Sequence, residues 1–176
     1  ITWKEYGLST WDGGFLGRIS ATESMTITSP PLENDLHISG LAKLHFNVRT
    51  SACNGGQMFA TMYDGTDNLR LGHATMDVRY RDGGYESQAT LPLNDYRMLM
   101  EFNPMDVVVP AGHEISIELT DTGEDYLPST CAAVGMAVFI DESSTLSLPL
   151  IDRAEDDDRW FLAPPWWDDP DNAVGL

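Results

Sequence analysis

The sequence predicts an all-β domain, a sandwich or a barrel, and three observations carry the prediction. Apolar and polar residues alternate with a period of two along several short runs, as they do in a strand with one wet face. Gly, Pro, Asn and Asp cluster between those runs, and these are the residues that turns require. No stretch keeps a helical period over three turns.

The clearest element lies in residues 107–120, where a Pro-Ala-Gly-His turn leads into an alternating strand. Ile115, Ile117 and Leu119 share one face, and Glu114, Ser116, Glu118 and Thr120 share the other. Earlier, Met25 and Ile27 sit in a Thr/Ser-rich run that ends at Pro30-Pro31. Within 41–49, Leu44, Phe46 and Val48 alternate with Lys43, His45, Asn47 and Arg49. The run 57–63 is apolar on both parities, which reads as a strand covered on both faces. Asp64-Gly65-Thr66-Asp67-Asn68 then supplies a turn. Ala74, Met76, Val78 and Tyr80 alternate with Thr75, Asp77, Arg79 and Arg81, so this strand is expected to run through Tyr80. Further strands are expected at 97–102, 105–109, 133–140 and 145–150.

A chain of 176 residues is enough for one domain with a buried core. The strand pattern occupies 23–153, after an aromatic and Gly-rich segment, 1–22, expected to pack on the domain. An acidic tail rich in Trp and Pro follows over 154–176. The start at Ile1, without Met, reads as a mature fragment or an excised domain. No apolar run approaches the ~20 residues of a membrane span. The net charge of −18, from 28 acidic and 10 basic residues, repels nucleic-acid phosphates. It fits ordinary solubility or adaptation to a saline environment, where salt screens self-repulsion.

Cys53 and Cys131 are the two cysteines. They could form one disulfide, remain two buried thiols, or join a metal site, although no zinc-type spacing is present. Their placement favours a bridge, because Cys53 follows the run 41–49 and Cys131 precedes the run 133–140. If those strands are antiparallel neighbours, the thiols come within bonding reach. A bridge points to a secreted, oxidising setting.

The chemistry of catalysis is largely missing. A Gly-x-Ser-x-Gly nucleophile elbow does not occur. His37, His45, His73 and His113 match neither His-Glu-x-x-His nor a facial triad. His113 is expected to be a turn residue bonded to a neighbouring loop. Structural calcium is the more credible ligand, since it takes six to eight oxygens from acidic loops. The candidates are Asp121, Glu124 and Asp125 in one loop and Asp64 and Asp67 in the other. Glycan binding would need an aromatic platform flanked by polar groups. Trp166, Trp167 and Tyr126 are the main candidates, with Trp3, Trp11 and Tyr85 beside them.

From about residue 24 to residue 153 the chain resembles the C-terminal jelly-roll domain of X-prolyl dipeptidyl peptidases and cocaine-esterase-like hydrolases. The pieces that carry the resemblance are Ser29-Pro30-Pro31-Leu32-Glu33-Asn34-Asp35-Leu36-His37-Ile38-Ser39-Gly40, the alternating Leu44–Val48 run, Leu71-Gly72-His73-Ala74-Thr75-Met76-Asp77-Val78-Arg79-Tyr80-Arg81, and Pro110-Ala111-Gly112-His113-Glu114-Ile115. The family often has Arg where Glu114 stands here. Similar modules follow archaeal subtilisin-like serine peptidases, and the closing Leu146–Arg153 stretch with its acidic tail looks like that setting. The resemblance implies a galactose-binding-like β-sandwich jelly roll without a nucleophile of its own. Its partner would be the catalytic peptidase domain of the same polypeptide, which it would stabilise or dock to substrate or surface. The alternative is an independent lectin-like module.

Overall fold

A computed structural model describes residues 2–8, 17–19, 24–50, 55–121 and 136–151. The described residues form twelve β-strands and one 3₁₀ turn. They are β1 (Thr2–Gly7), β2 (Gly17–Ile19), β3 (Met25–Thr28), β4 (Leu36–Gly40), β5 (Lys43–Thr50), β6 (Gln57–Asp64), β7 (Leu69–Asp77), β8 (Asp95–Glu101), β9 (Met105–Val109), β10 (Ile115–Thr120), β11 (Met136–Phe139) and β12 (Thr145–Leu150). All pair antiparallel, in one eight-stranded and one four-stranded sheet.

The eight strands of the larger sheet are four long strands interrupted along a common line. β5 pairs β8 from Lys43↔Glu101 to Arg49↔Asp95, and β4 continues against β9 from Gly40↔Met105 to Leu36↔Val109. On its other side β5 pairs β11 and then the start of β12, and β4 meets Leu150 at the end of β12. β1 and β2 lie in turn along β12 and β11. The bend is built from small and turn-forming residues. Gly40 takes φ +130°, and an added Cβ there would sit 3.3 Å from the Pro149 ring, a conformation that favours glycine. Backbone bonds carry the sheet across the bend, from Leu8 N to Ser144 O and from Phe102 N to Ala42 O.

Counted this way, the sheets hold four strands each. The larger runs β1/β2, β11/β12, β4/β5, β8/β9, and the smaller runs β3, β10, β6, β7. The chain changes sheet at every step between these units except the β6–β7 hairpin. Two four-stranded sheets joined by such crossings make the sandwich expected from the sequence, with the connectivity of an eight-stranded jelly roll. β1 and β2, from the segment 1–22 set apart above, are working strands of the larger sheet.

The inner faces meet in one core. Ile38, Leu44, Phe46, Val48, Met98 and Met100 pack from the larger sheet against Ile27, Met58, Met62, Ile115, Ile117 and Leu119 from the smaller. The several methionines are unbranched, polarizable fillers for an irregular space between twisted sheets. Ser116, on the parity read as wet, is also buried, and its hydroxyl is satisfied by Thr28 Oγ1 at 3.1 Å. The run 57–63 is covered on both faces at its start, where Met58, Phe59 and Ala60 are all buried.

One strand is shorter than its alternation implies. β7 ends at Asp77, and Val78–Tyr80 turns into a 3₁₀ helix. The Asp77 carboxylate accepts from Arg79 N at 2.9 Å and pairs with the Arg79 guanidinium at 2.8 Å. Local side-chain bonding of this kind competes with the ladder, and Asp favours caps over strand interiors.

Candidate functional site

Three connections converge at one end of the sandwich: the loop Ser29–Leu36, the turn Asp64–Asn68 and the turn Pro110–His113. Pro30 and Pro31 cannot donate to a ladder, and the residue before a proline is held extended, so β3 stops at Thr28. Ser29 then uses its side chain in place of a ladder carbonyl: its Oγ accepts from Ile115 N at 2.9 Å in a buried setting and donates to Pro30 O. Leu32 N donates to His113 O, Gly112 N to Leu32 O, and Ala111 N to Asp35 Oδ1. Two of the motifs that carry the resemblance are thus clamped to each other. A third joins the sheets at the opposite seam, where His73 N donates to Asn103 Oδ1 at 2.7 Å and Asn103 N donates to His73 O.

His113 does what the sequence predicts of it. Its Nδ1 lies 2.8 Å from Asp64 Oδ2, tying its turn to the neighbouring one. Asp64 is buried, and its Oδ1 accepts from Thr66 N at 3.1 Å and Asp67 N at 3.3 Å. Burial opposes ionisation of Asp64, but the bonds from His113 and the two amides outweigh it and hold the carboxyl below its ordinary range. The same bond to Asp64 raises the His113 imidazole above its ordinary value, against partial desolvation. Gly65 N donates to Glu114 O, and a Cβ at Gly65 would run into Ser116 Oγ.

The three described acidic candidates fall into two separate places. Asp64, Asp67 and His113 bring ligand atoms within 4.8 Å of one another. Imidazole is not the oxygen donor calcium prefers, so this trio differs from the all-oxygen loop expected, and its carboxylate oxygens on Asp64 are already bonded. Asp121 lies at the far end of β10, about 20 Å away by strand rise. It is buried, neither carboxylate oxygen has a hydrogen-bond partner among the described residues, and burial pushes its carboxyl up. Glu124, Asp125, Tyr126, Cys53, Cys131, Trp11, Trp166 and Trp167 lie outside the described residues. The premise of the disulfide does hold: β5 and β11 are antiparallel neighbours, with Met136 opposite Thr50.

Two concavities adjoin the clamp. A groove of about 500 Å³ separates β1 from the loop Ser29–Leu36 and is lined by Tyr6, Pro30, Pro31, Leu32, Leu36 and Leu150. A polar hollow of about 250 Å³ on the outer face of the smaller sheet holds Thr26, Tyr63, Asn68 and Glu118. Sequence reading missed the structural hydrogen bonds of Ser29, and it reads the loop opened by Asp82-Gly83-Gly84 as polar, whereas Leu91 and Leu93 stand exposed there. The Ser-Pro-Pro sequence could have signalled the first; the second has no local pattern.

Comparison with known proteins agrees with this arrangement. The family model described as "X-Pro dipeptidyl-peptidase C-terminal non-catalytic domain" matches residues 6–129, from the end of β1 through β10. A candidate Xaa-Pro dipeptidyl-peptidase of Bacillus cereus is 26% identical over 135 residues, 76% of this chain and 23% of that protein. A corresponding protein of Bacillus anthracis is 26% identical over the same length and is covered to 22%. The chain therefore spans less than a quarter of the curated relatives it matches. Among solved structures, a CocE/NonD family hydrolase from Staphylococcus aureus has TM-score 0.64 at 12% identity, covering 78% of this chain and 33% of that one. An aminopeptidase from a marine sediment Thaumarchaeota archaeon has TM-score 0.58 at 12% identity, covering 74% and 26%. At such identities the structures share the fold. The chain belongs to the X-Pro dipeptidyl-peptidase C-terminal non-catalytic domain family.

Proposed function

We infer that this domain is the accessory part of a secreted serine peptidase of the X-prolyl dipeptidyl-peptidase type, and that it stabilises the catalytic part by docking against it. The observation that carries the reading is the clamp at the loop end. The residues that mark the family serve there to fix loop geometry, through Ser29, Leu32, Gly112 and the His113–Asp64 pair, and a rigid scaffold presents a docking surface at low entropic cost. His113, which by type could serve as a base, is bonded to a carboxylate within the scaffold.

The secreted setting rests on a disulfide that we propose between Cys53 and Cys131, a proposal that the pairing of β5 with β11 supports. The 176-residue chain, assayed alone on Xaa-Pro dipeptide anilides and simple esters, is expected to give no turnover above buffer. Turnover that survives repurification would overturn the reading.

A further inference from the structure

The loop between the 3₁₀ turn and β8 combines three properties. It exposes two large apolar side chains, Leu91 at 62% and Leu93 at 73%. It is held rigidly all the same. Thr90 is buried and its Oγ1 accepts from Gly55 N at 2.9 Å. Thr50, also buried, donates from Oγ1 to Leu91 O at 3.0 Å and accepts at its carbonyl from Leu93 N at 2.9 Å. Leu91 N donates to the Tyr96 hydroxyl at 2.6 Å. The third property is strain: Leu93 takes φ +65°, a left-handed conformation uncommon for any residue with a side chain and most often met in Gly, Asn or Asp.

A strained backbone persists only where its surroundings over-determine it, and such positions gather at functional surfaces. Here the hydrogen bonds spend their constraint on pointing two leucines into solvent. The bonds from Thr50, Thr90 and Tyr96 hold the backbone so that both leucines stay turned outward. Apolar side chains already held in place lose little entropy when a partner covers them, which lowers the cost of docking.

Resting on the accessory-domain reading, we propose that the Leu91-Pro92-Leu93 corner is the anchor by which this domain seats on an apolar surface of the catalytic part of its own polypeptide. That occupant follows from what lies outside the domain. More than three quarters of each curated relative extends beyond the match, so a tethered partner is present at high effective concentration. A second copy is the weaker occupant, because two chains of net charge −18 repel each other.

Hydroxyl-radical footprinting with mass spectrometry tests the assignment on the 176-residue chain and on the longer polypeptide that carries it. Oxidation of Leu91 and Leu93 is expected to fall about tenfold in the longer polypeptide, as for residues at an interface centre. Leu41, exposed in the connection between β4 and β5, serves as the control and keeps its rate. Protection elsewhere, with Leu91 and Leu93 still reactive, overturns this assignment and leaves the accessory reading standing. Protection nowhere on the chain overturns both. Protection in the 176-residue chain alone that grows with its concentration makes a second copy the occupant and also overturns the assignment.

Discussion

Replacing Ser29 by alanine removes one oxygen and leaves one buried donor without a partner. Ser29 is 6% exposed, and its Oγ is the acceptor for Ile115 N, whose residue is 1% exposed. The two prolines that follow offer no N–H and turn the chain away, so no ladder group stands ready to replace the hydroxyl. An unsatisfied buried donor costs about 1–3 kcal/mol. The backbone bond from Ser29 N to Ile115 O remains, which places Ser29→Ala near the middle, about 2 kcal/mol. For a chain of this size that lowers Tm by roughly 4–8 °C. Urea unfolding followed by circular dichroism would read the loss as a lower midpoint at unchanged slope. Ser29→Thr keeps the oxygen and should recover most of the stability. An Ala variant within a degree of wild type would mean that the hydroxyl does not replace a ladder carbonyl.

Two further predictions concern charge. The raised His113 value gives stability that is complete below about pH 6.5 and is lost as pH rises through the folded value. The lowered Asp64 value gives stability that is complete above about pH 4 and is lost as pH falls through the folded value. The Tm gap between wild type and Asp64→Asn should therefore be widest between about pH 4 and 6.5 and should narrow as pH rises above that window; a gap independent of pH would refute the pairing. With net charge −18, Tm should rise between about 0.1 and 1 M NaCl, as the Debye length falls to about 3 Å. A flat or falling Tm would show that self-repulsion is not a main cost.

The sandwich was legible because its signal is local: a strand with one buried face must alternate, and β3, β5, β8, β10 and β12 do so. Alternation failed at Val78–Tyr80, where the Asp77 cap and the Asp77–Arg79 pair decide the backbone and the apolar spacing does not. The role of His113 was legible from its place after a Gly in a turn, but its partner Asp64 is 49 residues away and no local pattern names it. The bend that divides four long strands into eight was invisible for a related reason. It depends on Gly40 facing Pro149 and on Phe102 reaching Ala42 across strands. Leu93 gave no signal because a left-handed leucine is fixed by bonds to Thr50, far away in sequence.

The central claim is that this domain acts by binding the catalytic part of its polypeptide. Titration of the 176-residue chain into the separately produced catalytic part, followed by calorimetry, tests it most directly. The account predicts saturable one-to-one binding, micromolar or tighter as for a standard-size interface, together with a higher Tm for the catalytic part. Absence of binding heat with an unchanged Tm would contradict it.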